Sequence, residues 1–155
     1  MKEIDRIRDQ LKRAFESDAW HGPSLTEALS GLTAEAAGAR PLAKAHTIWE
    51  ILLHVLADIE SVSARLKGER RTLSPEEDWP PPPADGDEEA LKADLNRLRE
   101  VHEQLMHDLS DVKESALDSP IVEGSSSIYV TLHGVVQHNV YHAGQIVLLR
   151  KAAEL

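Results

Sequence analysis

His138 and His142 stand four residues apart near the C-terminal end of the chain. On a helix this spacing puts both imidazoles on one face, one turn apart. Two ring nitrogens so placed can share one divalent ion. Eight histidines in 155 residues make a chance pair at this spacing an ordinary event, so the pair alone leaves two readings open. One is a metal site; the other is a pair of core histidines satisfied by other partners. His54 bears on the choice, because it borders the apolar stripe of another helix, with Asp58 one turn further on. A neutral three-histidine set with a free position suits catalytic zinc, and also nickel, iron or manganese. Taken alone, His54 reads more simply as a flank histidine touching solvent.

Several neighbours could serve such a site. Asp58 and His102 are the candidates for carrying a proton, provided that either reaches the histidines. His102 has three readings: a further ligand, a base outside the ligand set, or a hydrogen-bonded core residue, and the last is favoured. Gln145, one turn after His142, could donate to a ligand or to a substrate. Tyr141 is rotated off the histidine face, as a pocket wall or a helix contact. His46 precedes a helix cap, and His107 and His133 point off their seams, so solvent exposure is expected for all three. His21 lies in a break between helices. Ferritin-like di-metal chemistry is excluded because no Glu is followed three residues later by His. No Gly-x-x-x-x-Gly-Lys phosphate loop occurs either.

The elements that must position these residues read as helices throughout. Ile4, Ile7, Leu11 and Ala14-Phe15 recur at helical spacing, predicting a first helix over about residues 2 to 18. Ser24 and Glu27 form a capping box for a short helix that Gly31 closes, and Thr33 to Ala37 add a turn. Thr47 and Glu50 cap a second long helix, buried along Ile48, Ile51-Leu52, Val55, Ile59, Val62 and Leu66 and stopped by Gly68. From Glu69 to Gly86 the four consecutive prolines Pro80 to Pro83 predict a stiff extended crossover. Whether Trp79 and this run cover a pocket or only bridge two helices stays open, with a plain crossover favoured. A third long helix follows Asp85 to Glu88, with the seam Leu91, Leu95, Leu98, His102, Leu105 and Leu109. The last helix runs from about Ser127 to Ala153, and its seam is read as Thr131, Val135, His138, His142, Gln145 and Leu149. Four long helices with no alternating strand segment give an all-α four-helix bundle, residues 1–155 forming a single domain.

Composition narrows the partners. A net charge of -10 disfavours nucleic acid and anionic membrane surfaces, since both require clustered Lys and Arg. The absence of cysteine removes disulfides, thiolate metal sites and any thiol nucleophile of the chain's own. The charged segment Met1-Lys2-Glu3-Ile4-Asp5 lacks the apolar stretch of a secretory signal, and no apolar run approaches the ~20 residues that span a bilayer. A cytoplasmic location and a small-molecule substrate are expected.

The run His138-Asn139-Val140-Tyr141-His142-Ala143-Gly144-Gln145-Ile146 resembles the H-x-x-Y-H-x-G-Q-I signature of the DinB-like (YfiT-like) superfamily. Thr47-Ile48-Trp49-Glu50-Ile51-Leu52-Leu53-His54-Val55 resembles that family's second-helix segment, and Trp20-His21-Gly22-Pro23-Ser24-Leu25 the start of some members. The resemblance implies a metal triad of His54, His138 and His142 in a four-helix bundle. It also implies a homodimer, and a metal-dependent thiol transferase or hydrolase acting with a low-molecular-weight thiol or with water. The rival expectation is a bundle that binds a metal or small ligand during stress, without turnover. One departure stands out: relatives often carry an aromatic residue about one turn after the first histidine, where this chain has Asp58-Ile59.

Overall fold

The first helix, α1 (Glu3–Phe15), buries Ile4, Ile7, Leu11, Ala14 and Phe15, the stripe that its periodicity predicts. It stops earlier than expected. The hydroxyls of Ser24 and Thr26 donate to the carbonyl oxygen of Glu16 at 2.9 and 2.8 Å, so the chain folds back where an unpaired helical carbonyl finds donors. Asp18 then takes a left-handed conformation at φ 59°. A computed structural model describes residues 2–153 of the chain.

Two five-residue helices follow, α2 (Leu25–Leu29) and α3 (Ala34–Gly38), capped by Ser24 and Thr33. The long helix α4 (Ile48–Leu66) starts at the expected box of Thr47 and Glu50 and ends against Gly68, whose φ of 88° suits only a residue without a Cβ. Leu66 is only partly buried, whereas the rest of the predicted stripe is in the core.

The segment 67–87 is not uniformly extended. It contains α5 (Pro75–Asp78), a single helical turn closed by a capping box between Ser74 and Glu77, with Pro75 in the first turn. These local signals outweigh the nearby prolines, which begin only at Pro80. At the far end of the segment Gly86 lies against the buried ring of Trp49. A Cβ at that position would come within 2.6 Å of the ring, so only glycine lets the chain pass. The Trp49 indole donates to Asp94 at 2.7 Å, which fastens α4 to the next long helix.

That helix, α6 (Glu88–Asp108), is capped by Asp87 and buries Leu91, Leu98, His102 and Leu105, with Leu95 packed partly against the core. Two 3₁₀ turns, Leu109–Asp111 and Glu114–Ala116, lead to α7 (Ile128–Ala153). Ser127 caps α7 through its hydroxyl, which accepts from the Val130 amide at 3.2 Å. The architecture is all-α; among the described residues the only β feature is an isolated bridge between Pro120 and Ser127.

α4 packs most extensively on α6, and α7 lies against α2, α4 and α1. Arg150 of α7 donates to the carbonyls of Ala28 and Ser30, both at 2.7 Å, fixing α7 against the end of α2. The phase of α7 differs from the predicted seam. Its innermost residues are Leu132, Val135, Asn139, His142, Ala143, Ile146 and Leu149, with Thr131, His138 and Gln145 only partly buried. Val130, Tyr141 and Leu148 stay exposed, so the helix is apolar on more than one side and a periodicity reading has little to fix its rotation. Among the described residues, no helix is long and apolar enough to cross a membrane.

Candidate metal centre

α4 and α7 bring His54, His138 and His142 together, although His54 and His138 are 84 residues apart in sequence. His54 and His142 are buried, and His138 lies at the rim. The Nε2 atom of His138 is 3.0 Å from Nε2 of His54 and 3.0 Å from Nε2 of His142.

The partners of the other ring nitrogens decide where the protons sit. Nδ1 of His54 donates to the backbone carbonyl of Asp78 at 2.7 Å, an oxygen that can only accept. Nδ1 of His142 donates to Oε1 of Gln145, also at 2.7 Å. Neutral rings held this way present bare lone pairs at Nε2, and both lone pairs face His138. One proton on His138 Nε2 satisfies one of them at most, so at least one pair of nitrogens would be opposed without a cation between them. A tetrahedral ion at 2.0–2.1 Å from each ligand separates nitrogens by about 3.3 Å. The observed 3.0 Å is within a few tenths of that, so the residues fit a metal.

Charge and burial support the same arrangement. Burial pushes His138 down to about 3, with the neighbouring His142 and His54 adding to the effect. His142 is lowered to about 4, again chiefly by burial and against the opposing hydrogen bond to Gln145. Both rings are therefore neutral near pH 7, as metal ligands must be. Oδ2 of Asp58 stands 3.0 Å from His138 Nε2 and 3.7 Å from His54 Nε2. Burial raises the Asp58 carboxyl above its ordinary value, opposed by attraction to His54 and aided by repulsion from Asp78.

The crossover contributes more than a bridge. Trp79 stacks on His54 at 3.9 Å and on His46 at 3.7 Å, so its indole is sandwiched between two imidazoles. Asp78, beside it, holds His54 through its carbonyl and brings Oδ1 to 3.2 Å from the same Nδ1. Asp78 was not singled out from the sequence, and Trp79 was raised there only as a candidate pocket cover, with a plain crossover favoured. The Ser74-Pro75-x-Glu77 box was the available signal, because a helical turn there brings the crossover down onto α4.

Gln145 is found at the site, but it accepts from His142 and fixes that ring instead of donating outward. Tyr141 is 63% exposed and meets the His142 ring edge-on at 5.0 Å. His102 is not brought to the triad. It stacks on Phe15 at 3.7 Å, is 2% exposed, and neither ring nitrogen has a hydrogen-bond partner. The expectation of a hydrogen-bonded core histidine is thus corrected: the seam position did bury the ring, but the acceptor beside it, Oε1 of Glu16, stands 3.9 Å from Nε2, beyond hydrogen-bond distance. His46 and His107 are exposed as expected, whereas His133 is half-buried with Nε2 unpartnered. Asn139, fully buried with both amide atoms unpartnered among the described residues, was also missed, because the predicted phase put His138 in its place.

A family model described as the DinB superfamily matches residues 18–146. Searches of curated proteins and of solved structures give no match.

Proposed function

This chain belongs to the DinB superfamily, and we propose that it is a metal-dependent enzyme, a thiol transferase or a hydrolase, centred on His54, His138 and His142. The observation that carries this reading is the convergence of three imidazole Nε2 atoms, with the ring partners of His54 and His142 leaving their two lone pairs facing His138. A divalent ion held there, zinc or nickel before iron or manganese, supplies positive charge that lowers the pKa of a thiol or water. The thiol comes from a low-molecular-weight cofactor, since the chain has no cysteine.

The chain's own residues have separable tasks in this reading. Asp58 accepts and returns the proton; its carboxyl is raised by burial, which brings its basicity closer to neutral pH. Asp78 and Gln145 hold the rings of His54 and His142 in one tautomer and orientation. Trp79 shields one face of His54 from water. Tyr141 lines the open side next to His142 and contacts the cofactor. His102 has no part in the chemistry, because it packs on Phe15.

We read the fold as a four-helix bundle of α1, α4, α6 and α7, one domain with a proline-rich crossover. A cytosolic location, a small-molecule substrate and a homodimer go with this reading. The exposed apolar residues Val130, Tyr141 and Leu148 of α7 support the last of these.

The test is reconstitution with zinc, nickel, manganese or iron, followed by assay against thiol-plus-electrophile pairs and simple esters. Turnover that disappears in a folded His142→Ala variant is the expected result. A stoichiometric metal with no turnover on any pair would leave a non-catalytic binding protein instead.

A further inference from the structure

A cavity of about 750 Å³ adjoins the candidate centre, sharing Asp58 and Trp79 with it. It runs along one face of α4, where Asp58, Ser61 and Arg65 follow His54 in steps of four, three and four residues. Asp58 and Arg65 are therefore two turns apart, about 10 Å along the helix axis. Arg70 and Arg71 enter from the start of the crossover. A chain of net charge -10 thus places three guanidinium groups around one cavity.

Their partners differ. Arg70 is paired with Glu123 on the rim. Among the described residues, no carboxylate lies within 4.0 Å of Arg65 or Arg71. Nε of Arg65 is shielded from solvent and has no acceptor. A permanently charged guanidinium without a carboxylate partner is best met by an oxyanion, and Arg65 and Arg71 both line the cavity in that state. The two aspartates that line the cavity do not compete, since Asp58 and Asp78 are turned toward the histidines.

We propose that this cavity is the substrate subsite. It takes an elongated organic oxyanion, a carboxylate or a phosphate monoester, whose anionic end is held by Arg65 and Arg71 while its other end lies at Asp58. This rests on the reading of the triad as the reactive centre. The planar fork of arginine suits either oxyanion, and the distance to Asp58 sets the spacing between anion and reacting group.

The experiment is isothermal titration of zinc-loaded and of metal-free protein with 4-phenylbutyrate, phenyl phosphate and the neutral 4-phenylbutyramide. Both anions are expected to bind about tenfold or more tightly than the amide. The tighter of the two anions identifies which oxyanion the subsite favours. Arg65→Gln and Arg71→Gln should each weaken anion binding by about tenfold, with amide binding and zinc affinity unchanged. Arg99→Gln, on a separate groove beside His102, should change nothing. Circular dichroism checks that each variant is folded. Equal binding of anion and amide, no binding of any probe, or anion binding insensitive to both substitutions overturns the proposal. An anion bound only by zinc-loaded protein and indifferent to the arginines sits on the metal, which also overturns it. Failure of the wild type to bind zinc would instead remove the triad reading, while the metal-free titrations still report on the arginines.

Discussion

Two buried histidine environments lie within this chain, and by burial and proton affinity they look alike. His142 and His102 are 3% and 2% exposed, and burial lowers each to about 4. Their surroundings differ in kind. Around His142 every ring nitrogen has a polar neighbour, Gln145 at Nδ1 and His138 at Nε2. Around His102 there is the flat face of Phe15, and the carboxylate near it, Glu16, stays 3.9 Å from Nε2 and makes no hydrogen bond. A lowered pKa therefore reports desolvation, which both sites share, and does not identify function. What separates the triad is that lone pairs from different helices converge, while the opposite edge of His54 and of His142 is tied down. His102 reads as a stacking residue whose polarity is a cost to the fold.

The largest effect expected from breaking this contrast is at the triad. His142→Ala, and likewise His138→Ala, should lower metal affinity by more than about 100-fold, because a two-histidine remnant cannot enclose the ion. His102→Ala should leave affinity unchanged. Competition titration against a chelating dye measures all three, and equal affinity in the parent and the triad variants would sink the assignment.

The second effect belongs to His102 and appears in stability. Folded His102 titrates at about 4 and an unfolded histidine near 6.5, so between these values the unfolded chain holds the extra proton. Stability should fall as pH drops through that window, by up to about 3 kcal/mol from this group, and should be fully present above it. His102→Leu should flatten this part of the profile in urea unfolding at pH 7 and pH 4.5. A profile unchanged by the substitution would mean that the ring is solvated in solution.

A smaller effect sharpens the role of the tied edges. Gln145→Leu removes the acceptor at His142 Nδ1 and should weaken metal binding by about 10-fold to 100-fold without unfolding the chain. An unaltered affinity would show that packing alone orients the ring. Smallest of the four, Trp79→Ala should cost about 1 kcal/mol of thermal or urea stability through loss of its stacking on His46 and His54. It should also speed metal exchange by uncovering His54, which stopped-flow chelation would detect.

Much of this was legible in the sequence where the cause is local. The capping pairs Ser24–Glu27 and Thr47–Glu50 place helix starts because their hydrogen bonds span three residues. The pairing of His138 and His142 on one face follows from helix geometry, and the signature around them was specific enough to bring in His54. The crossover was less legible. Four prolines dominate its composition, and they hid the turn from Pro75 to Asp78 that docks Trp79 on the site.

By itself, then, the sequence determined which long segments are helical and where most of them begin, and its resemblance to a family grouped the three histidines. Only the tertiary structure decided the rotation of α7, which makes Asn139 and not His138 its innermost polar residue. It also separated His102 from the triad and set the carbonyl of Asp78 against His54 across 24 residues of chain. The reason is physical: caps and helical faces are fixed by interactions within one turn, whereas the partner of a buried nitrogen depends on how whole helices pack. Periodicity shows that a residue faces inward without showing what it will meet there.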